Sequence, residues 1–122
     1  MDDSDALRKA ADKVHLGANR RHIFLCVGGK CAKPEEHEES WGYLKHRLRE
    51  LGLVDAEQGV LRTKADCLRI CVGGPIAVVY PEGIWYRFES QSDIDEILET
   101  HLQNGGRVER LMLQPDQLPP KH

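Results

Sequence analysis

The spacing of apolar residues changes along the chain, and each change predicts a new element of secondary structure. Residues 2–16 carry apolar side chains on one helical face and predict a short amphipathic helix, with Ser4 as its N-cap. Gly17 is expected to end that helix. The apolar run at residues 22–27 predicts a buried strand that reaches the first cysteine of the chain.

A longer helix and a second strand are predicted next. Pro34 is favoured at the first position of a helix, and Gly52 suits the turn after its last residue, near Leu51. Residues 58–63 predict a short strand. Apolar residues of the helix recur every three or four positions and should share the face that meets the core: Trp41, Leu44, Leu48 and Leu51.

The C-terminal half of the sequence predicts a hairpin followed by a helix. Residues 76–80 and 84–88 form two apolar strands joined by a tight turn at residues 81–83. Ser92 is a candidate cap for the last helix, and glycines at 105–106 would end it. The apolar face of this helix would consist of Ile94, Ile97, Leu98 and Leu102.

The order of the predicted elements, (α)βαββ(β)α, favours an α/β fold with a mixed four-stranded sheet flanked by helices. At 122 residues, the chain is long enough for one domain with its own core. No apolar run reaches the roughly 18 residues that a membrane span needs. The acidic start at residues 2–5 is atypical of a secretory signal, so a cytoplasmic location is expected. The net charge of −3 argues against a nucleic-acid-binding surface.

Four cysteines in two close pairs carry the strongest chemical signal in the sequence. Cys26 and Cys31 are spaced C-x4-C, and Cys67 and Cys71 are spaced C-x3-C. Four thiolates are the ligands that one [2Fe–2S] cluster needs, two for each iron. Glycine pairs beside both cysteine pairs would let backbone N–H groups approach the cluster sulfurs. The sequence therefore predicts a small electron-transfer protein with one [2Fe–2S] cluster per chain, held by these cysteines.

Other chemistry for the cysteines fits the spacing less well. Structural zinc sites usually contain C-x2-C pairs, a thioredoxin-type dithiol needs C-x-x-C, and a Rieske centre pairs cysteines with nearby histidines. The sequence contains none of these patterns, although a four-cysteine zinc-binding structural module stays an alternative. It also lacks a nucleophile–base constellation and a phosphate-binding loop, so the chain is not expected to be an enzyme.

Charged residues near the cysteines allow two interpretations. An acidic run either favours the start of the long helix or forms a docking patch for a basic partner; it comprises Glu35, Glu36, Glu38 and Glu39. Nearby cations either offset the cluster charge or form a docking surface for an acidic partner; they are Lys30, Lys33, Lys64 and Arg69. His46 and His101 are expected to be half-exposed on helices.

Several motifs occur in an order that resembles the thioredoxin-like [2Fe–2S] ferredoxins over residues 20–113. They are the strand that leads to Cys26, the segment 63–71 with the second cysteine pair, Gly74-Pro75, the run 78–86 with its Tyr-Pro-Glu-Gly-Ile-Trp-Tyr element, and the closing segment 99–111. The resemblance implies a thioredoxin-like fold. Pro75 then occupies a place where that fold often carries a cis-proline.

The resemblance also implies a function and a ligand set. Its members are homodimeric, cytoplasmic one-electron carriers without catalytic activity, so we expect a reductase and an acceptor enzyme as partners, with no nucleic acid and no membrane. The family ligands correspond to Cys26, Cys31, Cys67 and Cys71. The ferredoxin domain would span residues 21–113, between an N-terminal helical extension at 1–20 and a flexible C-terminal tail at 114–122.

The first cysteine loop departs from the pattern of several family members, because it is shorter. A loop of this length is similar to that of the small iron–sulfur subunit of respiratory NADH dehydrogenase. The main alternative to a free-standing ferredoxin is therefore a fixed iron–sulfur subunit of an NADH-dehydrogenase or hydrogenase-like complex.

Overall fold

The protein is described by a computed structural model that covers residues 3–28, 32–66, 68, 70 and 74–113. Its centre is a four-stranded sheet in the order β2-β1-β3-β4. The two strands β1 and β2 are parallel, whereas β3 is antiparallel to both β1 and β4. The strands are β1 (Arg21–Cys26), β2 (Val60–Ala65), β3 (Ile76–Tyr80) and β4 (Ile84–Arg87).

Three helices accompany the sheet, which confirms the predicted α/β class. The helix α1 spans Ser4–Lys13, α2 spans Pro34–Glu50, and α3 spans Gln91–Glu96. A π-helical segment, Ile97–Leu102, continues α3, and a short 3-10 turn follows at Glu109–Leu111. None of the helices in the described part of the chain has the length and apolar character that crossing a bilayer requires.

The main core lies between one face of the sheet and the helices α2 and α3. Leu44 and Leu48 of α2 meet Leu98 of the π-helical segment and the inward side chains of the strands, and all three are essentially inaccessible to water. Complete burial of such a side chain stabilises a fold by about 2 kcal/mol. The predicted apolar face of α2 is confirmed, with Trp41 and Leu51 partly buried at its edges.

The predicted starts of the second strand and of the last helix were wrong, each for a local reason. The second strand was expected at 58–63 but begins at Val60, because Gln58 has a φ of +59° and its N–H donates to the carbonyl of Ala18 at 2.7 Å. The strand then follows the register of β1 as far as Ala65.

The last helix begins one position after Ser90 rather than at the expected cap, Ser92. The Ser90 Oγ accepts a hydrogen bond from the N–H of Asp93 at 3.3 Å, and the Asp93 carboxylate accepts one from the N–H of Glu89 at 2.9 Å. This is a reciprocal arrangement of the capping-box type. The expected cap Ser4 is instead the first residue of α1.

His101 was expected to be half-exposed, but it is completely buried at 0% exposure. The Tyr86 hydroxyl lies 2.7 Å from His101 Nδ1, and His101 Nε2 lies 2.8 Å from Glu82 Oε1. Because the N–H of Val108 donates to the Tyr86 oxygen at 3.3 Å, we infer that the Tyr86 O–H donates to Nδ1 and that Nε2–H donates to Glu82. Partners for each polar group explain why a histidine is tolerated in this core.

Arg21 completes this network at the start of β1. Its Nε and Nη2 donate to the two Glu82 oxygens at 3.0 and 3.2 Å. These bonds from Arg21 lower the pKa of Glu82 to about 2, and the bond from His101 acts in the same direction. The network joins β1, the β3–β4 turn, β4 and the π-helical segment, so it fixes the end of the sheet that lies farthest from Cys26.

The Glu82 network generates a testable prediction about stability and pH. We expect Glu82→Gln to lower the free energy of unfolding by about 1–2 kcal/mol at pH 7, because charge-assisted hydrogen bonds are lost. Since the folded-state pKa of Glu82 lies near 2, below its ordinary value of 4.5, the carboxylate stabilises the fold above pH 4.5. That contribution is lost as the pH falls from 4.5 towards 2.

Urea denaturation of both forms across this pH range measures the difference. Glu96→Gln is the control, because the ion pair of Glu96 with Arg110 is solvent-exposed and should matter little. A difference between the wild type and Glu82→Gln that stays constant down to pH 2.5 would contradict the assigned role of the carboxylate.

Candidate metal centre

The candidate centre lies at the end of the sheet where β1 and β2 finish side by side. Cys26 is the last residue of β1 and is the register partner of Ala65, the last residue of β2. The N–H of Val27 donates to the Ala65 carbonyl at 2.8 Å and extends the pairing by one residue. Because β3 is antiparallel to β1, its first residue, Ile76, lies at this same end. The described residues that flank both cysteine pairs therefore converge.

Of the four predicted ligands, only Cys26 belongs to the described residues. Cys31, Cys67 and Cys71 lie outside them, as do Gly29 and Gly73 of the predicted glycine pairs. The structure thus places one ligand and the backbone on both sides of the others.

Cys26 occupies an apolar setting on the face of the sheet opposite the main core. Its exposure is 1%, and it forms a small buried cluster with Ile76. The Sγ atom lies 3.9 Å from the carbonyl oxygen of Asp66, across from the β2 end. Partly buried apolar side chains surround the pair: Leu68, Ile70, Trp85 and Leu113. A soft sulfur donor within a water-poor pocket suits a cluster whose ligands are thiolates.

Gly28 allows the two cysteine loops to approach each other closely. A Cβ atom added at this position would lie 2.8 Å from the Asp66 carbonyl oxygen and 3.1 Å from Asp66 Cα. Both of these atoms belong to the backbone, so a larger residue could be accommodated only if one loop moved. The absence of a side chain at Gly28 and the thiol of Cys26 together fit an iron–sulfur cluster held between the loops.

The Gly74–Pro75 peptide is cis, as in the many thioredoxin-like folds that carry a cis-proline at this place. The Pro75 carbonyl accepts a hydrogen bond from the N–H of Phe88 at 3.1 Å, so it ties the entry of β3 to the end of β4. The Tyr80–Pro81 peptide is also cis, which was not expected.

The charged residues predicted to lie near the cysteines are exposed wherever the structure describes them. The four glutamates of the acidic run are exposed, and Glu35 and Glu36 occupy the first turn of α2, where carboxylates are favoured. Lys33 and Lys64 are exposed as well, whereas Lys30 and Arg69 lie outside the described residues.

The apolar setting of Cys26 includes residues that the sequence analysis did not assign to the site. They are Trp85, which belongs to the Tyr-Pro-Glu-Gly-Ile-Trp-Tyr element, and Leu113, the last residue of the predicted domain. The N–H of Leu113 donates to the Trp85 carbonyl at 2.8 Å and brings the C-terminal segment beside the Cys26 cluster. Alternation along β4 is a signal that could have found Trp85, because it puts Trp85 on the face opposite the buried Tyr86.

No protein-family model matches the chain, but curated relatives do. The chain is 34% identical over 98 residues to a protein of Clostridium pasteurianum named "Ferredoxin, 2Fe-2S", covering 77% of this chain and 96% of that protein. It is 32% identical over 110 residues to a protein of the same name from Aquifex aeolicus, covering 84% and 96% of the two chains.

Solved structures show the same likeness in three dimensions. The thioredoxin-like [2Fe–2S] ferredoxin from Aquifex aeolicus aligns with a TM-score of 0.65 at 30% identity, over 80% of this chain and 99% of that chain. A cysteine-to-serine variant of that ferredoxin aligns with a TM-score of 0.67, over 77% and 98%.

The mixed sheet and the buried thiol at its end, taken with these comparisons, define a thioredoxin-like iron–sulfur protein. More specifically, the chain belongs to the thioredoxin-like [2Fe–2S] ferredoxin family. It carries one [2Fe–2S] cluster and acts as an electron carrier. Of the functions that the sequence left open, the relatives support the ferredoxin and favour neither the zinc module nor the fixed subunit of a larger complex.

Gly28 provides a test of how closely the two loops approach. We expect Gly28→Ala to reduce the iron and sulfide content per chain by at least half, because the new methyl group would push against the Asp66 backbone. The measurement is iron and sulfide content together with the visible spectrum of protein purified without oxygen. Gly42→Ala is the matched control, since a Cβ at this α2 position meets no atom within 4 Å. Full cluster content in Gly28→Ala would contradict the close approach.

Proposed function

We propose that Cys26, Cys31, Cys67 and Cys71 hold the [2Fe–2S] cluster of this ferredoxin. The observation that carries this assignment is the register of Cys26 with Ala65, which brings the described flanks of both cysteine pairs to one end of the sheet. These are also the only four cysteines in the chain, and a cluster of this type takes four thiolates.

The cluster supplies a one-electron redox couple when it is bound, and the chain's own residues control its surroundings. Ile76 and Trp85 form part of the apolar wall that limits the access of water to the thiol of Cys26. Gly28 leaves room for close backbone approach beside it. Solvent exposure and N–H donors to the sulfurs are two of the means by which a protein sets the potential of such a centre.

The ligand assignment predicts the result of removing each cysteine. We expect the wild-type protein to contain about two irons and two sulfides per chain, and each of the four Cys→Ala variants to lose most of both. Metal analysis and the electron paramagnetic resonance signal of the dithionite-reduced protein measure this. Substitution of an apolar neighbour, Leu113→Ala, is the control that should keep the cluster. A cysteine variant that keeps full cluster content would remove that residue from the ligand set.

The protein would carry electrons between a reductase and an acceptor enzyme, with no catalytic activity of its own and no nucleic-acid or membrane partner. A cytoplasmic location agrees with four cysteines that serve a cluster rather than disulfides. We assign the ferredoxin domain to residues 21–113, with a helical extension at 1–20 and a tail at 114–122. The helix α1 supports the first boundary, because none of its residues is buried.

A homodimer is the expected form of the carrier, and the face of the sheet opposite the main core supports it. On this face His22 stacks on Phe24 with ring centroids 4.1 Å apart, and Tyr80 packs edge-on against Phe24 at 6.0 Å. Burial lowers the pKa of His22, so its ring is neutral at pH 7. Tyr80 is 45% exposed and His22 and Phe24 are half-buried, so the three rings form one accessible aromatic patch of the kind that interfaces cover.

The dimer proposal is tested at Tyr80. Sedimentation equilibrium of the cluster-containing protein should give about twice the chain mass of 13.8 kDa. We expect Tyr80→Asp to raise the dimer dissociation constant at least tenfold, because a carboxylate would be buried without a partner. Tyr80→Phe keeps the ring and should keep the dimer. A wild-type protein that sediments as a monomer at 100 µM would refute the homodimer.

A further inference from the structure

The side of α2 that lies next to β2 carries a group of cations around one aromatic ring. Lys45 Nζ lies 5.7 Å from the centroid of the Trp41 ring, and Arg62 Cζ lies 6.0 Å from it. Arg49 follows Lys45 by one helical turn, and Lys64 follows Arg62 on the same face of β2. These five residues are called the Trp41 patch: Trp41, Lys45, Arg49, Arg62 and Lys64.

The cations of the Trp41 patch are not neutralised within the described part of the chain. Lys45, Arg49, Arg62 and Lys64 form no ion pair with a described carboxylate. Asp55 is the acidic residue that acts on Arg62, and it does so only through its charge, without a hydrogen bond.

Arg47, another cation of α2, is by contrast neutralised by carboxylates of the same chain. Arg47 donates to Asp95 at 2.9 Å, to Glu50 at 3.3 Å and to Glu99 at 3.4 Å. Its charge is therefore used inside the fold, where it ties α2 to α3 and to the π-helical segment. Lys45 and Arg49, by contrast, make no such ion pair with any carboxylate that the structure describes.

Arg62 shows that this arrangement is unfavourable for the isolated chain. Its Nε is buried and has no hydrogen-bond acceptor within the described structure. Burial lowers the pKa of its guanidinium, and the nearby charge of Arg49 lowers it further. A buried donor without an acceptor and a neighbouring like charge both destabilise a fold, and an external anion offsets the second of these by neutralising the charge. The chemistry of the patch therefore calls for an external anion.

The position of the Trp41 patch relates it to the metal centre. The strand β2 lies at an edge of the sheet, so the patch is reached from solvent. Lys64 immediately precedes Ala65, which is the register partner of Cys26. A molecule bound along this edge would lie beside the end of the sheet at which the cysteine loops converge.

We propose that the Trp41 patch docks carboxylate groups on the surface of an acidic protein that exchanges electrons with this ferredoxin. The binding of carboxylates is argued from the residues of the patch alone. The exchange of electrons with the bound protein rests on the proposed function. An indole beside an arginine is a composition that interface hot spots favour, and the lysines add positive charge around it. Because the chain as a whole carries a charge of −3, an acidic partner would be repelled elsewhere and oriented by the patch.

The binding test uses poly-L-glutamate of about 50 residues as the probe, with the cluster-containing protein at low ionic strength. We expect the wild type to bind this probe despite its own negative charge. The double variant Lys45→Glu with Arg49→Glu should bind at least tenfold more weakly. The matched control is Lys9→Glu with Lys13→Glu, which changes the net charge equally at two exposed positions of α1. This control should bind nearly as well as the wild type.

Three outcomes of the binding test would overturn the docking site. The first is an equal loss of affinity in both double variants, which would show that only net charge matters. The second is no binding of the probe by the wild type. The third is tight, patch-dependent binding of inorganic pyrophosphate without binding of poly-L-glutamate, which would make the patch a small-anion site.

A second measurement tests the link to electron transfer. The reduced protein is oxidised by the trianion tris(oxalato)cobaltate(III) in a stopped-flow experiment, and the Lys45→Glu, Arg49→Glu variant should react several-fold more slowly than the matched control. Equal rates would contradict electron exchange at this edge. The visible spectra of the wild type and of each variant are recorded first. A wild type without a cluster would refute the proposed function, whereas failed docking leaves the cluster spectrum of each protein unchanged.

Discussion

The parallel pairing of β1 with β2 is the constraint on which the metal centre depends. It ends both strands at the same end of the sheet, with Cys26 beside Ala65, and so brings the described residues that flank both cysteine pairs together. Apolar alternation fixes the register, because Ile23 and Leu25 must face the main core. A shift by one residue would turn Cys26 into that core and move the second loop away from it.

The two ends of the sheet are stabilised by different means. At the start of β1, Arg21 and Glu82 form a charged pair that supports the buried His101, and every polar group has a partner. At the other end of the same strand, Cys26 lies among apolar side chains, where we propose that its thiolate binds the cluster. Because β1 runs between the two ends, the hydrogen-bonded end also holds the strand that carries Cys26.

Local sequence patterns predicted the elements of the fold well, and they failed where partners are distant in the sequence. The burial of His101 was missed because its partners, Tyr86 and Glu82, lie 15 and 19 residues away and on another element. The start of β2 was missed because an edge strand mixes polar with apolar residues, so that its pattern is weak. The four cysteines were easily recognised, since their chemistry is carried by residue type and spacing.

The charges of α2 show how one helix can serve both the fold and a partner. Arg47 meets Asp95 and is satisfied within the chain, so its role is to hold α2 against α3. Lys45 and Arg62 share the ring of Trp41 without a described carboxylate between them, although the chain has more acidic than basic residues. Charges paired within the fold contribute to stability, whereas unpaired like charges reduce it. The unpaired cations of the Trp41 patch lie beside the metal centre, and the proposed docking explains them because the carboxylates that neutralise them then belong to another molecule.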